Sequence, residues 1–115
     1  MILGTGIDII EISRIQKAVE RWGDAFLNHI LNPEEIKYAQ QYKFPYQHYA
    51  GRFAAKEAIF KAMGLPHLSW HHVTIINDEN GKPVAHLHNI EFKHRLLISI
   101  SHSKDYAVAS AIVEG

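Results

Sequence analysis

Residues 51–64 read GRFAAKEAIFKAMG, and the fold turns on how this stretch is taken. It is alanine-rich and favours a helix, and the spacing predicts one from roughly Tyr49 to Met63, ended by Gly64 and Pro66. So many small side chains would let another element approach closely. Yet the stretch also carries Arg52, Glu57 and Lys61 beside Phe53 and Phe60. Glu57 and Lys61 stand four apart with the acid first, the favourable orientation for a helix ion pair. They read either as an exposed pair of small worth or as part of a site.

Working outward, Ile2–Ile10 is β-branched and glycine-containing, and reads as a buried strand bent near Gly4 or Gly6. From Glu11 the period changes. Ile12, Ile15, Val19 and Trp22 make one apolar helix face, Arg14, Lys17 and Arg21 make a basic stripe on another, and Gly23 ends the helix. AFLNHIL follows as a short apolar segment. Asn32-Pro33-Glu34-Glu35 is a strong helix start, with a capping side chain, a proline in the first turn and acids at the positive end of the helix dipole. That helix runs to about Gln41, and KFPYQH breaks it before the alanine-rich helix begins.

The second half reads as strands. VTIIN and PVAHLH flank Asp78-Glu79-Asn80-Gly81, where Asn-Gly signals a hairpin because both residues tolerate positive φ. RLLISIS and YAVASAIV alternate across His102-Ser103-Lys104-Asp105. Strand, helices, then strands argue for an α+β fold, with helices packed on a largely antiparallel sheet. At 115 residues, 1–115 is expected to be one domain.

Composition narrows the functions. Twelve basic residues balance twelve acidic ones, so a charged partner must be met by a local patch. A neutral chain with one short basic stripe falls short of a nucleic-acid footprint. No cysteine is present, which removes disulfides and thiolate metal sites and fits a reducing compartment. The apolar start is too short to span a bilayer, and it lacks a basic leader. A soluble, cytoplasmic protein is expected, with no membrane partner.

Three features could carry chemistry. Asp8 lies inside Gly6-Ile7-Asp8-Ile9-Ile10. It could cap the next helix, but a buried acid needs a partner, and either a metal ion or Lys61 would serve. Two carboxylates from different elements are what Mg²⁺ usually takes from a protein; Asp8 and Glu57 are candidates, though their spacing in the sequence does not show that they meet. The nine histidines offer no third zinc ligand at a recognisable spacing and no HExxH. The turn at His102 and Ser103 is rich in phosphate donors, though such turns are most often simply polar loops. Arg14, Lys17 and Arg21 form either a solvated face or a docking surface for an acidic partner.

These residues also resemble a known family. Ile7-Asp8, the run Gly51-Arg52-Phe53-Ala54-Ala55-Lys56-Glu57-Ala58 with Lys61-Ala62, and Ile98-Ser99-Ile100-Ser101-His102-Ser103 with Tyr106-Ala107 resemble the holo-[acyl-carrier-protein] synthases, the short bacterial branch of the 4′-phosphopantetheinyl transferases. The resemblance spans almost the whole chain. It implies an α+β homotrimer with coenzyme A in clefts between subunits. It implies Mg²⁺-dependent transfer of 4′-phosphopantetheine from coenzyme A to a serine of apo acyl carrier protein, in fatty acid biosynthesis, releasing adenosine 3′,5′-bisphosphate. On it, Asp8 and Glu57 are the metal-binding and catalytic acids, with Lys61 as the motif lysine. Lys61 either adds positive charge at the phosphates or holds Glu57, and the base is either Glu57 or a metal-bound water. Coenzyme A contacts are expected from Arg52, Lys61, Gly64, His102 and Ser103, and carrier-protein contacts from Arg14, Lys17 and Arg21. Where the family commonly has Gly-Thr-Gly after the helix, this chain has Gly64-Leu65-Pro66-His67. That departure is the one feature favouring a catalytically silent binding module.

Overall fold

In the computed structural model, which describes residues 1–65 and 68–115, one long helix organises the other elements. The elements run β1 (Ile2–Glu11), α1 (Ile12–Trp22), α2 (Asp24–Ile30), α3 (Pro33–Gln40), α4 (Tyr46–Met63), a short 3₁₀ turn (Trp70–His72), β2 (Val73–Asn77), β3 (Pro83–Leu87), β4 (Arg95–His102) and β5 (Tyr106–Glu114). The strands form two antiparallel sheets, β1-β5-β4 and the hairpin β2-β3. The α+β architecture matches expectation, with two sheets in place of one. Among the described residues, no helix is long and apolar enough to cross a membrane.

Small residues set the central packing. On β5, Ala107, Ala109 and Ala111 turn inward; on α4, Ala54, Ala55, Ala58 and Ala62 meet that sheet, and all seven are buried. On β1, the inward positions opposite α4 include Gly4 and Gly6. A Cβ at either would run into the carbonyl oxygen of Ala62 or Ala58. Glycine there lets helix backbone and strand backbone lie almost in contact. The other side of α4 meets α1, α3 and the β2 region, closing a core around Ile15, Leu27, Leu31, Ile59, Val73 and Ile75. A helix covered on both sides has no polar face to alternate with an apolar one. That is why its charges look misplaced in the sequence.

Four expectations change. β1 is an edge strand, not a buried one: Ile7 and Ile9 are 66% and 63% exposed, because period two turns them to the outer sheet face while Gly6, Asp8 and Ile10 face α4. Trp22 leaves the apolar face of α1 and is 59% exposed, with the Arg21 guanidinium 4.8 Å from its ring centre. Helix α4 starts at Tyr46, not Tyr49, directly after Pro45. The β2-β3 loop spans residues 78–82, and Gly81 alone of the Asn-Gly pair takes positive φ, 82°. Asp78 Oδ1 accepts from the Asn80 and Lys82 N–H groups, each at 2.9 Å, and so shapes this longer turn. The expected stop at Pro66, and the Pro66-His67 part of the departure from the family pattern, lie outside the described residues.

Candidate active site

Asp8 faces inward on β1, opposite Ala109 of β5. Lys61, on the last turns of α4, donates to Ile7 O at 2.9 Å and to Asp8 Oδ1 at 3.4 Å. The close approach permitted by Gly4 and Gly6 brings this lysine within reach of the strand. Asp8 does not cap α1; the residue at that position is Glu11. The alternative of a Glu57–Lys61 helix pair is also not realised, since Lys61 turns to β1 instead.

Glu57 makes no hydrogen bond or ion pair among the described residues. Its carboxyl is held above the usual carboxylate range, chiefly by burial and then by the negative charge of Asp8, with Lys61 partly offsetting both. The local charge is therefore two carboxylates against one ammonium. No group of three or more His, Asp or Glu able to hold a metal exists among the described residues. A cation here would take two protein oxygens and complete its shell elsewhere. Those donors fit Mg²⁺ and do not fit zinc.

A second cluster lies on another side of α4. Arg52 is 5% exposed, donates to Asn77 Oδ1 at 3.2 Å and sits 4.4 Å from the ring centre of Tyr38. It shares a cavity of about 190 Å³ with His48, Tyr38, Asn77 and His102. Arg52 and His102, both expected to contact phosphate, thus line one cavity. Ser103 does not join them: it is exposed, and its Oγ accepts the Tyr106 N–H at 3.2 Å inside the β4-β5 turn. Gly64 ends α4 at φ 62° and is exposed, outside both clusters. Arg52 and Glu57 point about 140° apart around the helix. Within one chain, the acid pair and the arginine cavity therefore face different ways.

The stripe Arg14, Lys17 and Arg21 is exposed along α1, now with Trp22 beside it. Sequence reasoning passed over the most buried charge of all. Lys56 is fully buried and spends all three of its donors: Glu35 Oε1 at 2.7 Å, Ile30 O at 2.9 Å and Trp70 O at 3.0 Å. Glu35 also accepts from the Asn32 N–H at 2.8 Å and the Ile75 N–H at 2.9 Å. An available signal was the lysine's position among Ala54, Ala55, Ala58 and Ile59. His48, Tyr38 and Asn77 were also missed, and nothing in their spacing announces them.

Comparison with known proteins adds to this geometry. Residues 4–111 match the family model described as the 4′-phosphopantetheinyl transferase superfamily. The holo-[acyl-carrier-protein] synthase of Chlorobaculum parvum is 46% identical over 112 residues, covering 95% of this chain and 96% of its own length. The synthase of Protochlamydia amoebophila is 46% identical over 119 residues, covering 97% and 98%. Among solved structures, the holo-(acyl-carrier-protein) synthase of Bacillus anthracis, in complex with CoA (3′,5′-ADP), superposes with a TM-score of 0.88 at 40% identity. It covers 100% of this chain and 98% of that one.

Proposed function

This chain belongs to the 4′-phosphopantetheinyl transferase superfamily, and from that premise we propose how its residues run the family reaction. The enzyme transfers 4′-phosphopantetheine from coenzyme A to a serine of apo acyl carrier protein. The serine oxygen forms a bond to the phosphorus that carries pantetheine. The bond from that phosphorus to the bridging oxygen breaks, and adenosine 3′,5′-bisphosphate leaves with the electron pair. The serine proton is lost to a base.

The observation that carries our assignment is Glu57, half-buried and without a partner among the described residues, near enough to Asp8 to feel its charge, with Lys61 in contact with the aspartate. Asp8 and Glu57 would hold Mg²⁺, which when bound offsets the negative charge that builds on the phosphoryl oxygens. Lys61 has a double use here. Its contact with Asp8 orients that carboxylate, and its exposed ammonium can turn to a phosphate of the substrate. Arg52, anchored by Asn77 and Tyr38, presents a fixed cation in the cavity with His102, suited to the nucleotide phosphates. Ser103 and Gly64 stand apart from both clusters and take no part in this assignment. Arg14, Lys17 and Arg21, with Trp22 among them, form the docking face for the acidic carrier protein.

The two clusters on opposed sides of α4 fit a site built between subunits of a homotrimer. The outer face of β1-β5-β4 supports this: Ile7, Ile9, Val108 and Ile112 leave an apolar surface uncovered in the single chain. Packing that face against neighbours could bring one subunit's Asp8 and Glu57 opposite another's Arg52 and His102. The whole chain, 1–115, then acts as one catalytic domain, and we place it in the cytoplasm, in keeping with its lack of cysteine.

The test is direct. Apo carrier protein, coenzyme A and this enzyme are incubated with and without Mg²⁺ and weighed by mass spectrometry. A gain of one phosphopantetheine in Mg²⁺, absent after chelation and absent with Asp8→Ala or Glu57→Ala, is expected. Tight coenzyme A binding with no mass gain would instead identify a silent binding module.

A further inference from the structure

The Arg52 cavity holds a group that the motif does not include. His48 lines it from the first turn of α4, and its Nε2 is buried with no partner among the described residues. The only other buried side-chain atom in that condition there is Arg52 Nε, in the same cavity. A buried polar nitrogen without a partner costs stability unless something completes it. Two of them converging on one cleft call for an acceptor.

The cleft also fixes the imidazole in place. Its ring stacks on Tyr42 with centres 3.8 Å apart and planes at 25°, and meets Tyr38 edge-on at 5.6 Å. His102 approaches edge-on from β4 at 5.8 Å. The titratable and charged groups facing His48 are therefore Arg52 on its own helix, Tyr38 on α3, Tyr42 just beyond it and His102 on β4. No carboxylate is among these groups, and the fixed charge beside the ring, Arg52, is positive.

We propose that His48 is a further positioning residue for coenzyme A, taking up a proton as a phosphate of the nucleotide enters the cleft it shares with Arg52 and His102. This rests on the reading of that cleft as the nucleotide phosphate site. Without ligand, burial first, then Arg52 and His102, lower the affinity of His48 for a proton. A phosphate brings negative charge and acceptor oxygens, reversing the second influence and giving Nε2 a charge-assisted bond. The residue thus ties nucleotide affinity to pH.

The probe is adenosine 3′,5′-bisphosphate, titrated into the whole enzyme by calorimetry in two buffers of different ionisation enthalpy. Wild-type enzyme is expected to take up protons on binding, and to bind more tightly as pH falls from 8.5 to 6.5. With His48→Asn, proton uptake should fall by more than half and the Kd at pH 6.5 should rise about tenfold, a single charge-assisted bond, while at pH 8.5 it changes little. His102→Asn should retain most of the uptake. If uptake and pH dependence survive in His48→Asn and vanish in His102→Asn, the proposal is overturned while the cleft assignment stands. If wild-type enzyme binds no bisphosphate, both are overturned. Should His48→Asn fail to fold, the His48 ring resonance in wild-type enzyme decides: its pKa must rise when bisphosphate is added, and an unchanged or falling value refutes the idea.

Discussion

Lys56 and Lys61 leave the same helix and each meets a carboxylate, at 2.7 Å from Glu35 and at 3.4 Å from Asp8. The first pair is wholly buried; in the second, Lys61 is 53% exposed. Lys56 has its three donors committed and Glu35 accepts three bonds, so nothing in that pair can change without cost. Lys61 holds one carbonyl and one long contact to an acid, and both can be exchanged for a ligand. The difference separates a charge that fixes architecture from one that is free to work. Ion pairing alone does not tell them apart; saturation of the partners does.

Breaking the buried pair should produce the largest effect. Lys56→Ala leaves the Glu35 carboxylate without its cation in the core, at a cost of about 3–5 kcal/mol. For a chain of this size the melting temperature should fall by on the order of 10–20 °C, measured by calorimetry or circular dichroism. Replacing both residues by apolar ones of similar volume, Lys56→Met with Glu35→Leu, should recover part of the loss, because no lone charge stays behind. Unchanged stability in Lys56→Ala would dissolve the contrast between the two lysines.

The acid pair at the site should behave in the opposite sense. Glu57 has a folded-state pKa above its ordinary value. Its contribution to stability is thus present below the unfolded pKa and is lost as pH rises through the raised folded value. Once pH has passed that raised value, and without a divalent cation, the ionised Glu57 works against the fold. Glu57→Gln should therefore raise the melting temperature slightly in chelator while reducing transfer activity by roughly 10²–10³-fold, a trade of stability for function. Mg²⁺ should stabilise wild-type enzyme but not this variant. A Glu57→Gln enzyme less stable than wild type in chelator would remove the case for a strained acid pair. Lys61→Ala completes the comparison: activity should drop about tenfold, with stability within about 0.5 kcal/mol of wild type, as for other exposed positions.

Much of this organisation could be read before the structure. Periodicity, composition and caps such as Asn32-Pro33 located α1, α3, α4 and the five strands, whereas α2 (Asp24–Ile30) read only as a short apolar segment, being too brief to show a helical period. Periodicity failed where an apolar face is left uncovered by the rest of the chain. Ile7 and Ile9 read as core residues, and in the single chain they face outward; hydrophobicity records that a surface is to be covered without recording by what. Asp8 and Lys61 could be named as partners because an acid in an apolar strand demands one. Lys56 could be suspected from its small apolar neighbours, but its partners could not be named. Its partners are a carboxylate capping another helix and two carbonyls, Ile30 and Trp70, set by tertiary packing, and backbone oxygens leave no trace in residue identity. His48 was hidden likewise, since its role depends on Tyr42, Arg52 and His102 converging from separate elements.

The smallest expected effect concerns charge that is not paired at all. Arg14, Lys17 and Arg21 stand exposed on α1 and belong to no ion pair among the described residues, and Arg21 leans over the exposed Trp22. Groups so placed contribute little to the fold, so Arg14→Glu with Arg21→Glu should leave the melting temperature within a degree or two. Their influence should fall on encounter with an acidic carrier protein, where complementary charge acts mainly on the association rate. The KM for carrier protein should rise severalfold while that for coenzyme A stays constant. The gap from wild type should close as salt rises past about 0.15 M, where the Debye length shrinks to about 8 Å. Trp22→Ala gives the complementary loss: its contribution comes from apolar contact and cation–π support for Arg21, so its effect on KM should persist in high salt. A shift in coenzyme A affinity in either variant would move α1 from the docking face into the nucleotide site.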